Sequence, residues 1–172
     1  RGPSWCFVEL GRAIERSVAT SQLLLCADLR RAPTPAAILK VIVELLDVQM
    51  TYRFRYRDQL QRNAVLDLGI TDESNPRSLA FQAKRLTMQI ARLPVIDTDP
   101  LPAAEERLAM KCAHDIRMLD SDALTAASAA AVVAALEGMR DGAEQLASAL
   151  TRKFLVHSGT LRRIVGSSGG RP

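Results

Sequence analysis

Aromatic residues are scarce in this chain of 172 residues, at 4% of positions, although hydrophobic residues make up 48%. A core must therefore be built mainly from aliphatic side chains. Because strands favour β-branched and aromatic residues, this composition favours packed helices over sheets. No alternating apolar pattern of useful length occurs. We therefore predict an all-α fold, a bundle of about five main helices with short proline-rich connections.

Cysteine is also rare: Cys6, Cys26 and Cys112 are odd in number and include no C-x-x-C pair. This predicts buried small hydrophobic residues in a reducing compartment, not a disulfide framework or a zinc site. No signal peptide is recognisable, and the longest uncharged run, 124–136, is too short to span a bilayer. We expect a cytoplasmic protein without membrane contact.

Motifs of independent catalysis are missing from the sequence as well. There is no Gly-rich P-loop, no G-x-G-x-x-G and no G-x-S-x-G, and His114 and His157 lack partners at metal-ligand spacing. The net charge of +4 is too small to favour a nucleic-acid partner. We expect no cofactor, no metal and no catalytic activity of the domain on its own.

Apolar residues recur every three or four positions over most of the chain. The predicted helices cover about 4–28, 36–57, 76–93, 103–119 and 121–156, with one or two further helical turns at 64–70. The second has two apolar stripes and is predicted to be central to the bundle. Gly11 is a predicted point of close packing, Gly138 and Gly142 are predicted points of close packing or of a slight bend, and Thr34 is a predicted helix cap. We expect a helical bundle over 1–157 and a flexible tail over 158–172.

Three clusters of polar residues lie on these helices. In "ELGRAIERS", Arg12, Glu15 and Arg16 form either surface ion pairs or a Glu/Arg pair held between helices. In "TYRFRYR", Tyr52 and Tyr56 are one helical turn apart, and so are Arg53 and Arg57. That second cluster could fix a helix end or hold a phosphate or carboxylate.

The third cluster is "DESNPRSLAFQ", residues 72–82. Asn75 is predicted as a helix N-cap, followed by Pro76 at the first helical position. Capping does not account for Arg77, Ser78 and Gln82. We therefore predict that they face a polar seam between helices, which is either architectural or receives an anionic group. The seam is predicted to include also Tyr52, Arg53, Glu15 and Arg16.

In this order, the three clusters resemble the alpha-E domain family of bacteria, named for a Glu-Arg motif. The matching stretches are "ELGRAIERS", with Glu15-Arg16, then "TYRFRYR" and "AVLDLGITDESNPRSLAFQ". Family members are usually about twice as long, so the chain resembles the C-terminal half of such a domain. Ser17 and Val18 depart from the residues expected after the motif.

The resemblance implies partners more than a reaction. Alpha-E domains are encoded beside, or fused to, circularly permuted ATP-grasp proteins and transglutaminase-like peptidases. The expected function is thus a non-catalytic accessory or scaffold domain that binds an ATP-grasp-type peptide or amide ligase, in cis or in trans, or its peptide substrate. The alternative is a helical enzyme or ligand-binding module that recognises a carboxylate or phosphate through Arg and Tyr side chains.

Overall fold

Helices form all the regular secondary structure in the part of the chain that the structure describes. It is a computed structural model that describes residues 2–27, 34–57, 59–94, 101–119, 124–125 and 130–155. The helices are α1 (Pro3–Cys26), α2 (Ala36–Leu45), α3 (Gln49–Tyr56), α4 (Arg62–Leu66), α5 (Leu79–Ile90), α6 (Ala104–Arg117) and α7 (Ala130–Leu150). Two π-helical segments, Asp67–Thr71 and Thr151–Leu155, directly follow α4 and α7. The predicted all-α class is confirmed.

The four long helices form a bundle in which α1 and α6 each pack on both α5 and α7. Phe7, near the start of α1, lies against Phe154 just beyond α7, with ring centroids 5.3 Å apart. Glu105, at the start of α6, pairs with Lys153 beyond α7 at 2.7 Å. Because α7 therefore runs antiparallel to both α1 and α6, the arrangement matches an up-and-down bundle.

Aliphatic side chains fill the centre of this bundle, as the shortage of aromatic residues requires. The largest fully buried ones on the long helices are Leu10 and Leu24 of α1, Leu79 and Leu86 of α5, Ile116 of α6, and Leu136 and Met139 of α7. Burying one such side chain stabilises a fold by about 1.5–3 kcal/mol relative to leaving it exposed. These buried side chains therefore stabilise the bundle against which the π-helical segment Asp67–Thr71 packs.

The segment predicted as one helix over 36–57 is two helices, so that prediction is wrong. Asp47 has φ 53°, and the amides of Asp47 and Val48 donate to the carbonyls of Glu44 and Val43. This pair of bonds around a left-handed residue is the Schellman motif that ends many helices. The apolar periodicity did not reveal the break, because Leu46 and Val48 on either side of it are both buried.

The position predicted for this segment is also corrected. One apolar stripe of α2, with Leu39, Ile42 and Val43, is buried, but Ile38 and Leu45 are exposed. The helix contacts α3 and α4 rather than neighbours on two sides. It is therefore peripheral and not central, and none of the described residues covers its second apolar stripe.

Close helix packing occurs at Gly142 and not at Gly11. A Cβ atom built on Gly142 of α7 would lie 2.5 Å from Sγ of Cys112 on α6, whereas one on Gly11 meets nothing within 4 Å. The absence of a side chain at Gly142 therefore lets the two helices approach. At Gly11, which is exposed, the predicted close approach is wrong.

Two other predictions about single residues are corrected. The N-cap residue of α2 is Pro35 and not Thr34, and Pro35 makes no side-chain capping bond. Cys26 is exposed, whereas Cys6 and Cys112 are buried as predicted. The predicted first turns of the last helix at 121–123, its end at Val156 and the tail over 158–172 lie outside the described residues.

Candidate functional site

Asn75, Ser78 and Gln82 hold together the turn that leads into α5. Asn75 Nδ2 donates to the carbonyl of Leu68 at 2.6 Å, and its Oδ1 accepts from the amide of Arg77 at 3.0 Å. Ser78 Oγ accepts from the amide of Phe81 at 3.1 Å. Ser78 is thus the N-cap of α5, and the assignment of this role to Asn75, with Pro76 at the first helical position, is wrong.

The reason lies in what each side chain can bond. The Asn75 amide both donates and accepts, so it can bridge the π-helical segment and the turn. Ser78, with φ −75° and ψ 155°, has the extended backbone that an N-cap needs, and its hydroxyl also donates to the carbonyl of Asp72 at 2.6 Å. Gln82 Nε2 donates to the carbonyl of Pro76. These side chains therefore make local bonds that close the turn.

Arg77 points away from this turn. Its guanidinium lies 3.4 Å from Asp47 Oδ2, and both side chains are largely exposed. Its carbonyl accepts a bond of 3.4 Å from the hydroxyl of Thr20 on α1. Exposed ion pairs of this kind contribute little, between 0 and about 1 kcal/mol. Arg77 thus links the turn to the joint between α2 and α3 at the surface.

Asp72, which we did not predict, organises the same turn. Its carboxylate accepts from Arg55 Nη1 at 2.6 Å and from both the amide and the hydroxyl of Ser74. Burial alone would raise the pKa of Asp72, but the bonds from Ser74 and Arg55 outweigh burial and lower it. An acidic residue two positions before a Ser in a polar stretch is the sequence signal that could have indicated this turn.

The two tyrosines of α3 have separate partners. Tyr52 is buried, and its hydroxyl donates to the carbonyl of Gln59 at 2.8 Å and accepts from the amide of Gln61 at 2.9 Å. The Tyr56 hydroxyl donates to Asp67 Oδ2 at 2.6 Å. Burial, together with this hydrogen bond, raises the pKa of Tyr56 to about 12. Tyr52 therefore has a structural role, because its hydroxyl both donates and accepts a hydrogen bond within the chain.

Arg53 and Arg57 do come together, in a groove between α2 and α3. This basic groove has a volume of about 320 Å³, and Lys40, Glu44 and Tyr52 are among its other lining residues. Arg53 and Arg57 are both exposed. The part of the second cluster that was predicted to hold an anion thus lines one surface concavity.

The first cluster lies on the outer side of α1. Glu15 and Arg16 are exposed. Arg12 pairs with Glu9 at 3.1 Å, and its guanidinium lies 5.9 Å from the ring centroid of Trp5. The structure therefore places Arg12, Glu15 and Arg16 at the surface, away from the interior of the bundle.

An interhelical Glu/Arg pair does exist, but it involves other residues. Glu9, which is buried, pairs with Arg85 of α5. Glu9 is the first residue of the stretch "ELGRAIERS" and precedes Leu10. This apolar neighbour is the sequence signal that could have placed Glu9 near the packed face of α1. The ten predicted site residues thus divide among the outer side of α1, the basic groove and the turn before α5, and the residues predicted to face one seam are spread over all three places.

Polar residues do accompany the contact between α1 and α5, and they include two of the predicted residues, Ser78 and Gln82. The buried ones are Glu9, Ser17, Thr20 and Ser21 on α1, and Ser78, Gln82 and Gln89 on or beside α5. Ser21 Oγ, Gln82 Oε1 and Gln89 Oε1 have no hydrogen-bond partner in the described part of the chain. Ser17 donates to the carbonyl of Ala13 one turn earlier in α1.

Exposed apolar side chains are concentrated on α2 and α3. They are Ile38, Val41, Leu45, Met50 and Phe54, here called the apolar face, with exposed fractions from 36% for Ile38 to 90% for Phe54. Ile38, Val41 and Leu45 are three and four residues apart on α2, and Met50 and Phe54 are four apart on α3, so each group lies on one side of its helix. Surface apolar residues are normal singly, but a group on one side of a helix indicates an interaction site. Within the described ranges, no cluster of three or more His, Cys, Asp or Glu residues could hold a metal ion. Nor does any helix in these ranges have the length and apolarity to cross a membrane.

A family model matches residues 1–155 and describes a predicted alpha-helical domain with a conserved ER motif. The chain belongs to the Alpha-E family. Glu-Arg dipeptides occur at Glu15-Arg16 on α1 and at Glu106-Arg107 on α6. The match extends past α5 to the end of the described chain, further than the stretches that suggested the family.

Similar curated proteins include uncharacterised proteins of Mycobacterium tuberculosis and Mycobacterium bovis. Each is 26% identical to this Alpha-E chain over 149 residues, which is 83% of the chain and 17% of the relative. The chain therefore spans about a sixth of the length of these relatives. No solved structure matches it.

Proposed function

We propose that this Alpha-E chain is a non-catalytic accessory or scaffold domain that binds an ATP-grasp-type peptide or amide ligase. The observation that carries the proposal is the apolar face of α2 and α3. Its side chains have no covering element among the described residues, and Phe54 in the last turn of α3 is 90% exposed. Burying these side chains against a partner removes apolar surface from water and therefore favours binding.

Family membership supports the identity of the partner. The resemblance to alpha-E domains associates such chains with circularly permuted ATP-grasp proteins, and with transglutaminase-like peptidases. A domain that forms part of a longer protein also needs surfaces that contact its other parts. The apolar face fits either a ligase bound in trans or a ligase domain in the same polypeptide.

The test is ADP release by the partner ATP-grasp protein, measured with and without this domain. We expect stimulation by the wild-type domain and at least about a tenfold weaker apparent affinity with Phe54→Ser, because exposed aromatic residues are common anchors of interfaces. Phe54→Ser should leave the free energy of unfolding within about 0.5 kcal/mol of the wild type, since the side chain is exposed.

Met118→Ser is the matched control, because Met118 is 68% exposed but lies at the end of α6. It should stimulate like the wild-type domain. Equal loss of stimulation with both variants, or none with Phe54→Ser, would count against the apolar face. Arg16→Ala and Arg77→Ala, if still folded, would show whether the working surface extends to α1 or to the turn before α5.

A further inference from the structure

The basic groove carries an excess of positive charge that the described residues do not neutralise. Its lining has three cations, Lys40, Arg53 and Arg57, and a single carboxylate, Glu44. Glu44 lies 4.0 Å from Lys40, one helical turn away. Within the ranges that the structure describes, no carboxylate forms an ion pair with Arg53 or Arg57. The two guanidinium groups are therefore available for an external anion.

Arg57 occupies a backbone position where glycine would be less strained. It ends α3 with φ 63° and ψ −140°, a region that residues with a Cβ atom seldom adopt. Such conformations persist only where the surrounding structure enforces them, and they concentrate at functional sites. At this position the chain carries a cation that lines the groove in place of the residue that suits the backbone.

The apolar face lies on the same two helices as the groove. Val41 follows Lys40, Leu45 follows Glu44 and Phe54 follows Arg53 in the sequence, so each of these exposed apolar residues lies about 100° round its helix from a residue of the groove. A free phosphate ion would neutralise the cations but leave these apolar side chains in water. An occupant that covers both must carry carboxylates and apolar side chains together.

We propose that the basic groove and the apolar face together bind a peptide segment of a partner protein that carries carboxylates beside apolar side chains. The inference rests on the proposed function in that it names the chemistry of the partner. Carboxylates of the segment pair with the guanidinium groups of Arg53 and Arg57, in a geometry that favours two parallel hydrogen bonds. Its apolar side chains pack on the neighbouring face, as in the recognition of amphipathic segments by grooves.

The experiment selects binders of the whole 172-residue chain from a display library of random peptides. We expect enrichment of Asp or Glu beside Leu, Ile, Phe or Met. A synthetic peptide made from the consensus should then bind saturably in a titration calorimeter. Its affinity should fall about tenfold or more with Arg53→Gln and with Arg57→Gly, because each change removes a charge-assisted contact.

Arg57→Gly has a matched control in the other non-glycine residue with positive φ, Asp47. Both Arg57→Gly and Asp47→Gly place glycine at a left-handed position, but only the first removes a cation of the groove. Both variants should remain folded, with the melting temperature of Arg57→Gly at or above that of the wild type. The peptide affinity of Asp47→Gly should be unchanged. An equal loss of affinity in the two variants would overturn the proposal.

Other outcomes also overturn it. These are a library without acidic enrichment, binding that Arg53→Gln leaves intact, and equal displacement by inorganic phosphate at the same concentration. Binding to phosphatidylserine vesicles in place of the peptide would assign the surface to an anionic membrane. If Phe54→Ser abolishes stimulation of the ligase while Arg53→Gln and Arg57→Gly do not, the proposed function stands and the peptide chemistry fails.

Discussion

At the scale of single residues, the carboxylate of Asp72 stabilises the turn before α5. Its side chain is only 9% exposed, and it accepts hydrogen bonds from Arg55 and Ser74. Asp72→Asn keeps an oxygen that can accept from Ser74 but loses the charge. We expect it to lower the free energy of unfolding by on the order of 1 kcal/mol, measured by urea denaturation at neutral pH.

The pH dependence of this contribution follows from the lowered pKa of Asp72. Since the folded pKa lies below the ordinary value of 3.8, the unfolded state binds the proton first as the pH falls. The stability from Asp72 is therefore complete above pH 3.8 and is lost as the pH falls through the lowered folded value. Asp72→Asn should lose less stability over that range than the wild type. Asp141→Asn, at an exposed site of α7, is the control, and identical acid profiles for all three proteins would contradict the assignment.

The same turn shows what a sequence can and cannot predict about individual residues. The polar stretch and its position before a helix were correctly identified, because Asn, Pro and Ser cluster there. The choice between Asn75 and Ser78 as N-cap was not, because both are favoured cap residues. The partner that decided it, the carbonyl of Leu68, comes from the π-helical segment, whose geometry has no signal in composition.

At the scale of helices, the contact between α6 and α7 depends on Gly142. Gly142→Ala places a Cβ atom 2.5 Å from the buried sulfur of Cys112, so one of the helices or the sulfur must move. The cost of overpacking, typically about 1–3 kcal/mol, exceeds the gain of about 1 kcal/mol from replacing glycine in a helix. We expect a net loss of thermal stability for Gly142→Ala, measured by calorimetry.

Two further variants separate packing from helix propensity. Gly11→Ala, on an exposed position with open space around it, should raise the free energy of unfolding by about 1 kcal/mol. In a Cys112→Ala background the sulfur is gone, so Gly142→Ala should become stabilising. If Gly142→Ala is equally destabilising in both backgrounds, the contact with Cys112 is not its cause.

Helix positions were largely predictable, whereas breaks and neighbours were not. The 3.6-residue periodicity located α1, α5, α6 and the described part of α7 within a few residues. It missed the end of α2 at Leu45, because the apolar pattern continues through Leu46 and Val48 while the backbone of Asp47 turns left-handed. Periodicity also cannot state whether a second apolar stripe meets another helix of the same chain or a partner.

At the scale of the whole molecule, the candidate interaction surfaces of this Alpha-E chain lie on different helices. The Glu15-Arg16 dipeptide lies exposed on α1, and the basic groove and apolar face lie on α2 and α3. The candidate site was only partly predictable, because Arg53 and Arg57 were identified from their spacing, while the exposure of Phe54 required the fold. We propose that the α2–α3 side, and not the outer side of α1, contacts the ligase.

Hydrogen–deuterium exchange of this domain, with and without the ATP-grasp partner, distinguishes contact through α2 and α3 from contact through α1. Docking on α2 and α3 should suppress local opening there, so amides of Ala36–Leu45 and Gln49–Tyr56 should exchange more slowly in the complex. The Phe54→Ser domain should lose this protection. Slower exchange confined to α1 around Glu15 and Arg16, with α2 and α3 unchanged, would contradict the account.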